Sequence, residues 1–340
     1  MVYIRVDANE YIASGHLMRT LSIAETVREE GGNCCFITSD HNCDAQILGR
    51  GFETICLNSK WDEMDDEIGA LVELIKARRV ECLLVDSYYV TPNYLEEISK
   101  WTKVVYMDDL KAFQYNCHAI INYVIGEDGK DYSYFKGPIY AGASYVPLRK
   151  EFTENVKCSL SDCIKQVMVT TGGTDIYHFG MAFLHRFLND IRFQNCQVTM
   201  VIGSRNADRD QIKGLYGSEP RITIVEDAKN MSQLMKEADC MVSAGGTTLY
   251  EACACGVPTI SYSMADNQLT NVKQFDKLGG IFYAGDVREN IDLIIDAILD
   301  RLQEMKDLET RTIVAEKMRS VVDGKGAVRI ARVLLNIYKE

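Results

Sequence analysis

The chain has 340 residues and a mass of 38.4 kDa, a length that favours two domains of about 150 residues over a single core. Its 37 Lys+Arg and 49 Asp+Glu give a formal net charge of -12. Proteins that bind nucleic-acid backbones concentrate positive charge, so this balance argues against nucleic acid as the partner. A small anionic ligand stays compatible with it, because backbone amides alone can hold an anion.

The 12 cysteines predict reduced, packed thiols and neither disulfides nor a metal centre. They form no CxxC pair, and several stand inside apolar runs, as Cys34, Cys35 and Cys82 do. The paired spacing of structural zinc ligands is absent. No signal peptide precedes Val2, and no apolar run approaches the ~18 residues of a membrane span. We therefore expect a cytoplasmic protein with no cofactor, no metal and no membrane span.

Short apolar runs alternate with amphipathic stretches along the first half, which is the pattern of βα units on a parallel sheet. Strands are predicted at residues 2–6, 34–37, 82–85 and 104–107, and helices at residues 16–30, 65–78 and 92–100. Glycines and tyrosines between residues 119 and 147 predict irregular structure with short strands. Residues 151–163 are polar and are interpreted as a linker.

The same alternation restarts after the linker. Strands are predicted at residues 166–170, 197–202, 222–225, 240–243 and 259–262, and helices at residues 178–190, 231–238, 249–254 and 268–278. Two restarts of one pattern predict two doubly wound, Rossmann-like α/β domains with a cleft between them, at residues 1–150 and 164–325. An amphipathic helix over residues 326–340 follows.

In open parallel sheets, ligands bind beyond the carboxyl ends of the strands, and the first such loop contains Asp7, Gly15, His16 and Arg19. Gly15 allows close approach to a ligand, and Arg19 follows His16 by one helical turn. A helix N-terminus favours the neutral imidazole, which suits a general base oriented by Asp7. The alternative is a helix capped by Ser14 with a solvent-exposed histidine.

Two more strand ends carry polar groups. Asp86 and Tyr88 follow the strand at 82–85, where the alternatives are a sugar contact and an ordinary helix cap. Asp108 and Asp109 follow the strand at 104–107, and for these we favour the helix cap.

Glycine pairs follow two strands of the second half. Gly173 and Asp175 belong to a Gly-Gly turn that can bring amides to a phosphate, although it lacks the spacing of a dinucleotide fold or P-loop. A second turn holds the residues Gly245, Gly246, Thr247, Thr248 and Glu251. Its amides and hydroxyls at a helix start predict a diphosphate site, with the glutamate placed for ribose hydroxyls. A tight turn capped by threonine is the alternative.

These motifs resemble a known family. The second Gly-Gly turn, with Gly256-Val257-Pro258 and Asn267-Gln268 after it, is similar to the nucleotide-binding domain of two-domain glycosyltransferases such as the lipid I N-acetylglucosaminyltransferase. The N-terminal half narrows the resemblance to the UDP-2,4-diacetamido-2,4,6-trideoxy-β-L-altropyranose hydrolases of pseudaminic acid biosynthesis. The segments that resemble this family are Arg5-x-Asp7, Gly15-His16-x-x-Arg19, Asp86-x-Tyr88, Asp108-Asp109-Leu110, Gly142-x-x-Tyr145-x-x-Leu148-Arg149-x-x-Phe152 and Gly172-Gly173-x-Asp175.

The resemblance implies a glycosyltransferase-B fold and inverting, metal-independent hydrolysis of a UDP-sugar to UDP and free sugar by a monomer, in surface-polysaccharide or flagellin glycosylation. It implies His16 as the base, and Tyr88 and Asn267 as sugar contacts. It also implies that Ala228 reads the uracil, that Glu251 holds the ribose, and that Gly246, Thr247, Thr248 and Gln268 surround the diphosphate. The sequence departs from the family at Ser14, at Ile176-Tyr177-His178 and at Asp266. Transfer of the sugar to an acceptor and non-catalytic UDP-sugar binding remain the alternatives.

Overall fold

The computed structural model describes residues 1–9, 11–12, 15–154 and 160–339. Two compact units divide the chain: residues 1–149 with 324–340, and residues 150–323. Ser14, the capping alternative of the first loop, and residues 155–159 of the expected linker lie outside the described residues.

The N-terminal unit is built on a seven-stranded parallel sheet in the order β3-β2-β1-β4-β5-β6-β7. Its strands are β1 (Val2–Val6), β2 (Cys34–Thr38), β3 (Glu53–Cys56), β4 (Cys82–Asp86), β5 (Lys103–Met107), β6 (Ala119–Asn122) and β7 (Ile139–Ala141). Its helices are α1 (Gly15–Glu29), α2 (Asp44–Leu48), α3 (Ile68–Arg78), α4 (Pro92–Ser99) and α13 (Gly326–Lys339). The last helix of the chain thus packs in the first unit, against α1.

The C-terminal unit is built on a six-stranded parallel sheet in the order β10-β9-β8-β11-β12-β13. Its strands are β8 (Gln166–Thr170), β9 (Gln197–Ile202), β10 (Ile222–Glu226), β11 (Cys240–Ala244), β12 (Thr259–Ser263) and β13 (Phe282–Asp286). Its helices are α5 (Glu151–Glu154), α6 (Phe179–Asn189), α7 (Arg209–Tyr216), α8 (Met231–Glu237), α9 (Thr248–Cys255), α10 (Asp266–Lys277), α11 (Ile291–Glu304) and α12 (Leu308–Val321).

Both sheets have the doubly wound strand order of Rossmann-like domains. In each, the chain starts at a central strand, winds to one edge, and then returns to wind towards the other. The point of reversal lies between β1 and β4 in the first unit and between β8 and β11 in the second. Ligands bind at such switch points because the loops there diverge and leave a crevice.

The central strands are buried on both faces, as expected of parallel strands covered by helices. All five residues of β1, β2 and β4 are buried, and so are all five of β11 and β12. The described cysteines are free thiols, most of them buried in these cores, as expected from their apolar neighbours. Burial raises the pKa of Cys34 and Cys82 to about 12, so both are protonated at neutral pH.

The first residues of the expected linker form a helix of the C-terminal unit. That unit starts at Lys150, and Phe152 of α5 is fully buried. The polar sequence around Phe152 hid this anchor, since a single apolar residue makes no periodic pattern.

No helix in the described ranges is both long enough and apolar enough to cross a membrane.

Candidate functional site

Four predicted residues of the N-terminal unit meet at its switch point. His16 and Arg19 lie on the first turns of α1, after β1, and Asp86 and Tyr88 lie at the end of β4. β1 and β4 are hydrogen-bonded neighbours, with Val6 opposite Asp86. The sheet register therefore brings the two loops together.

His16 is buried, with 8% of its surface exposed. Its Nδ1 lies 3.3 Å from Oδ1 of Asp86, and the ring of Tyr88 meets it edge-on with centroids 4.4 Å apart. The alternative of a solvent-exposed histidine is thus wrong. A carboxylate at Nδ1 favours the tautomer protonated there, which leaves the lone pair of Nε2 to accept a proton.

Asp86, and not Asp7, is the carboxylate beside His16. The Asp7 carboxylate instead pairs with the guanidinium of Arg5 and accepts hydrogen bonds from the backbone amide and hydroxyl of Ser39, at 2.7 and 2.9 Å. The expectation that Asp7 orients the histidine is corrected by this arrangement. Asp7 joins the ends of β1 and β2.

Arg19 is held by carboxylates. Its Nε and Nη2 donate to both oxygens of Asp86, at 2.6 and 2.5 Å, and its Nη1 donates to Asp109 at 2.7 Å and to the hydroxyl of Tyr123. Burial alone would lower the pKa of Arg19, but Asp86, Tyr123 and Asp109 together outweigh it and hold that pKa well above its usual range. The charge of Arg19 is therefore already balanced within the protein.

Asp108 and Asp109 cap no helix, because a loop follows β5. Asp108 accepts hydrogen bonds from the hydroxyls of Tyr115 and Tyr132 and from two loop amides. Asp109 accepts from Arg19 and, at 3.1 Å, from the hydroxyl of Tyr88, while its Oδ1 is buried without a hydrogen-bond partner. Asp109 thus belongs to the site, which the sequence did not predict.

An aromatic cluster at the same sheet edge also escaped the sequence analysis. Tyr11 stacks on Trp61 with centroids 6.0 Å apart, and Trp61 meets Tyr89 edge-on at 4.8 Å. Tyr11 is 77% exposed and Tyr89 is 40% exposed. The three rings come from the loops after β1, β3 and β4, so no single motif contains them.

The glycine turn after β11 leaves polar groups at the start of α9 without hydrogen-bond partners in the helix. Thr247 stands at the N-cap position, yet its side chain makes no capping hydrogen bond to the helix. A Cβ on Gly246 would meet nothing within 4 Å, whereas one on Gly245 would lie 2.3 Å from Cγ1 of Val272. The alternative of a turn capped by threonine is not what the structure shows. The helix start keeps amides and a hydroxyl for a ligand.

The remaining residues predicted around the diphosphate lie on the neighbouring strand ends. Thr248 and Glu251 occupy the first turn of α9 and are partly buried, and Ala228 lies in the loop after β10. Asn267 is exposed on the first turn of α10. Gln268 uses its Oε1 to accept from the amide of Met264 at 3.0 Å, so this side chain also fixes its own loop.

Asp175, predicted to bind substrate, caps α6 instead. Its oxygens accept from the amides of Phe179 and Gly180 at 2.9 and 2.8 Å, and it is 2% exposed. Burial raises its pKa, against the effect of those two hydrogen bonds. Gly173, in the same loop, faces open space except for the side chain of Arg205.

Comparisons with known proteins agree with this architecture. Residues 167–324 match the family model described as the glycosyltransferase family 28 C-terminal domain. The structure of MurG from Acinetobacter baumannii superposes with a TM-score of 0.73 at 10% identity, covering 98% of this chain and 99% of that one. The predicted glycosyltransferase-B fold is confirmed.

Two curated proteins are similar over most of this chain. The spore coat polysaccharide biosynthesis protein SpsG of Bacillus subtilis is 26% identical over 349 residues, covering 100% of this chain and 99% of the relative. The pseudaminic acid cytidylyltransferase and UDP-2,4-diacetamido-2,4,6-trideoxy-beta-L-altropyranose hydrolase of Helicobacter pylori is 23% identical over 274 residues, which are 78% of this chain and 44% of that protein. The chain thus spans less than half of this second relative. Together the comparisons support a glycosyltransferase-B-like protein related to nucleotide-sugar enzymes.

Proposed function

We propose that this chain is a UDP-sugar hydrolase that releases UDP and a free diacetamido-trideoxy hexose for nonulosonic (pseudaminic) acid synthesis. The observation that carries the proposal is His16, buried at the N-terminal switch point with Asp86 at its Nδ1. The similarity to the hydrolase of Helicobacter pylori supports the substrate class.

In the proposed reaction, Nε2 of His16 takes a proton from water as the water oxygen bonds to C1 of the sugar. The bond between C1 and the phosphate oxygen breaks, its electron pair leaves with UDP, and the configuration at C1 inverts. Asp86 then faces an imidazolium, which its charge stabilises. UDP needs no strong acid to leave if donors neutralise its developing charge.

The C-terminal unit would hold UDP through the start of α9. The amide of Gly246 already donates to the carbonyl of Ala244 at 2.8 Å, so the amides of Thr247 and Thr248 at the helix start are the ones that would suit the diphosphate. Glu251, one turn further along α9, would accept hydrogen bonds from the ribose. Ala228 and Asn267 remain proposed contacts to uracil and sugar.

A second candidate is transfer of the sugar to an acceptor hydroxyl. It is favoured by the match to a glycosyltransferase domain and by the exposed rings of Tyr11 and Tyr89, because a sugar ring stacks well on aromatic faces. Incubation with the UDP-sugar alone separates the two candidates. Free sugar in stoichiometric yield with UDP supports hydrolysis, and its absence until an acceptor is added supports transfer.

His16→Asn is the direct test of the base. We expect unchanged UDP affinity and a fall in turnover of at least ~10²-fold, the usual contribution of a general base. His41→Asn is the matched control, since His41 is an exposed histidine of the same unit whose ring pairs with the neighbouring Asp44. Near-normal turnover by the His16 variant would remove this residue from the role of base.

Glu251→Ala tests the other half of the proposal. The variant should bind UDP more weakly, because the ribose loses its acceptor, as measured by calorimetry. Unchanged UDP affinity would refute the ribose assignment. Tight UDP binding by the wild type with no turnover on any UDP-, GDP- or CMP-linked deoxyamino sugar would instead indicate a binding protein.

A further inference from the structure

Three glycine-bearing loops lie side by side at the switch point of the C-terminal unit. β8 pairs with β9 on one side and with β11 on the other, so Gly172 stands between Gly203 and Gly245 along the sheet edge. Adjacent strands are about 4.8 Å apart. The loops after β8, β9 and β11 are therefore within reach of one small ligand.

The loop after β9 is fixed tightly against the loop after β8. A Cβ on Gly203 would lie 2.5 Å from the carbonyl oxygen of Gly172 and 2.7 Å from Cα of Gly173, so only glycine allows this approach. Two residues on, the amide of Arg205 donates to the carbonyl of Gly173 at 3.2 Å. These backbone contacts fix the backbone position from which the side chain of Arg205 extends.

The guanidinium of Arg205 lies over Gly173. Its Nη2 is 3.8 Å from the position that a Cβ on Gly173 would take. The residue is exposed, and no carboxylate in the described ranges lies within ion-pair distance of it. The neighbouring arginines at this edge differ: Arg209 pairs with Glu226 and Asp227, and Arg288 pairs with Asp266 and Asp286.

We propose that Arg205 is a phosphate-binding residue, whose guanidinium donates to the diphosphate of a nucleoside-diphosphate sugar seated on the Gly172–Gly173 turn. This proposal rests on the proposed function, which places UDP in the same unit. A planar guanidinium presents two parallel N–H groups to phosphate oxygens, a geometry that a lysine does not reproduce. The absence of a Cβ at Gly173 leaves the space in which those oxygens would lie.

Charge balance supports this assignment. Arg19, the arginine of the N-terminal site, is already neutralised by Asp86 and Asp109. The ligand diphosphate gains charge when the bond to the sugar breaks, and the chain as a whole is at -12. An unpaired guanidinium at the switch point supplies a local positive field where the overall charge would repel the ligand.

Arg205→Ala and Arg205→Lys test the proposal in the full-length protein, with UDP and uridine as calorimetric probes. We expect Arg205→Ala to weaken UDP binding about tenfold or more, as for loss of a charge-assisted hydrogen bond. Uridine affinity should stay unchanged, since uridine has no phosphate. The lysine variant should recover part of the UDP affinity. Arg209→Ala is the matched control, because that arginine follows on the same segment and already has two carboxylate partners.

The outcomes separate this inference from the function on which it rests. Wild-type affinity for UDP in Arg205→Ala overturns the role of Arg205 and leaves the proposed function standing. An equal loss of UDP and uridine affinity also overturns it, since the residue would then not act on phosphate. A wild-type protein that binds neither UDP nor UDP-sugar overturns the proposed function itself. Since Arg205 is exposed, the thermal unfolding of the variants should match that of the wild type.

Discussion

Asp86 is the residue on which the N-terminal site depends. Its carboxylate binds both Nε and Nη2 of Arg19 and lies beside His16, and it is 1% exposed. Removal of one partner from a buried ion pair leaves an uncompensated charge, which is far more costly than losing a surface pair. Asp86 therefore links the stability of the unit to the placement of the proposed base.

We expect Asp86→Asn to lower the free energy of unfolding by about 3 kcal/mol and to reduce turnover under conditions where the variant is folded. Urea unfolding and turnover measure the two effects. Asp40→Asn is a suitable control, because Asp40 accepts local hydrogen bonds from Asn42 at the surface. A variant with wild-type stability and turnover would show that Asp86 contributes to neither.

At the scale of single residues, the sequence indicated which side chains lie together but not which of them form hydrogen bonds and ion pairs with one another. His16, Arg19, Asp86 and Tyr88 could be found because each follows a strand or starts a helix in a recognisable motif. Their pairing could not, because Asp109 is 90 residues from Arg19 in the chain and nothing local distinguishes Asp7 from Asp86 as the neighbour of the histidine. Arg205 is similar, since only the packing of the loop after β9 reveals its position.

At the scale of the element, the turn before α9 contains one glycine that is tightly packed and one that faces open space. Gly245 has no room for a side chain, whereas Gly246 faces open space, and neither has a positive φ. Gly245→Ala should therefore destabilise the C-terminal unit by about 1–3 kcal/mol through overpacking. Gly246→Ala should fold normally but bind UDP more weakly, because its methyl group occupies ligand space. Thermal unfolding and calorimetry on the pair check this, and reversed effects would contradict the assignment of the loop.

The ion pair between His178 and Asp208 at the start of α6 predicts that the stability of the protein depends on pH. The hydrogen bond that Nδ1 of His178 donates to the carboxylate of Asp208, and then the charge of that carboxylate, raise the pKa of His178 above its usual value of 6.5. A raised folded-state pKa means that the stabilisation is fully present below pH 6.5 and is lost as pH rises through the folded value. His178→Asn should thus lower the melting temperature at pH 6 more than at pH 9. An equal effect at both values would exclude the ion pair as the cause.

Two of the elements that the sequence analysis missed have little periodic apolar surface. β3 is a four-residue edge strand with no buried residue, and α7 buries only Ile212. The central strands were predicted to within a residue or two, because continuous apolar runs bounded by glycine and aspartate are strong signals. Burial at the sheet centre creates that signal, and exposure at the edge removes it.

On the scale of the whole molecule, the two-domain organisation was expected from length and from the repeated βα pattern. The position of the last helix within the fold was not expected. An amphipathic pattern predicts that a helix packs on one face but does not identify the element it packs against. α13 belongs to the first unit, where Arg329 donates to the carbonyl of Ser144 at 2.8 Å. A Cβ on Gly326 would lie 2.1 Å from the carbonyl oxygen of Val146.

Gly326→Val should accordingly destabilise the N-terminal unit and leave the C-terminal unit unchanged. Hydrogen exchange is the appropriate measurement, because it locates the lost protection along the chain. Gly69→Ala is the control in the same unit, since its added Cβ meets nothing within 4 Å. Loss of protection spread equally over residues 150–323 would contradict the division into units.

Because α13 packs in the first unit, the two units become complete at different times during synthesis on the ribosome. Residues 150–323 form a contiguous unit that is complete before residues 324–340 are added, whereas the first 149 residues need those last residues to complete their unit. Domains generally fold from the N-terminus onward as they emerge, but here the N-terminal unit is the one completed last. His16 and Asp86 would thus acquire their final packing only after residues 324–340 have been added, and a chain that stops before residue 324 would contain the whole of the second unit and an incomplete first one.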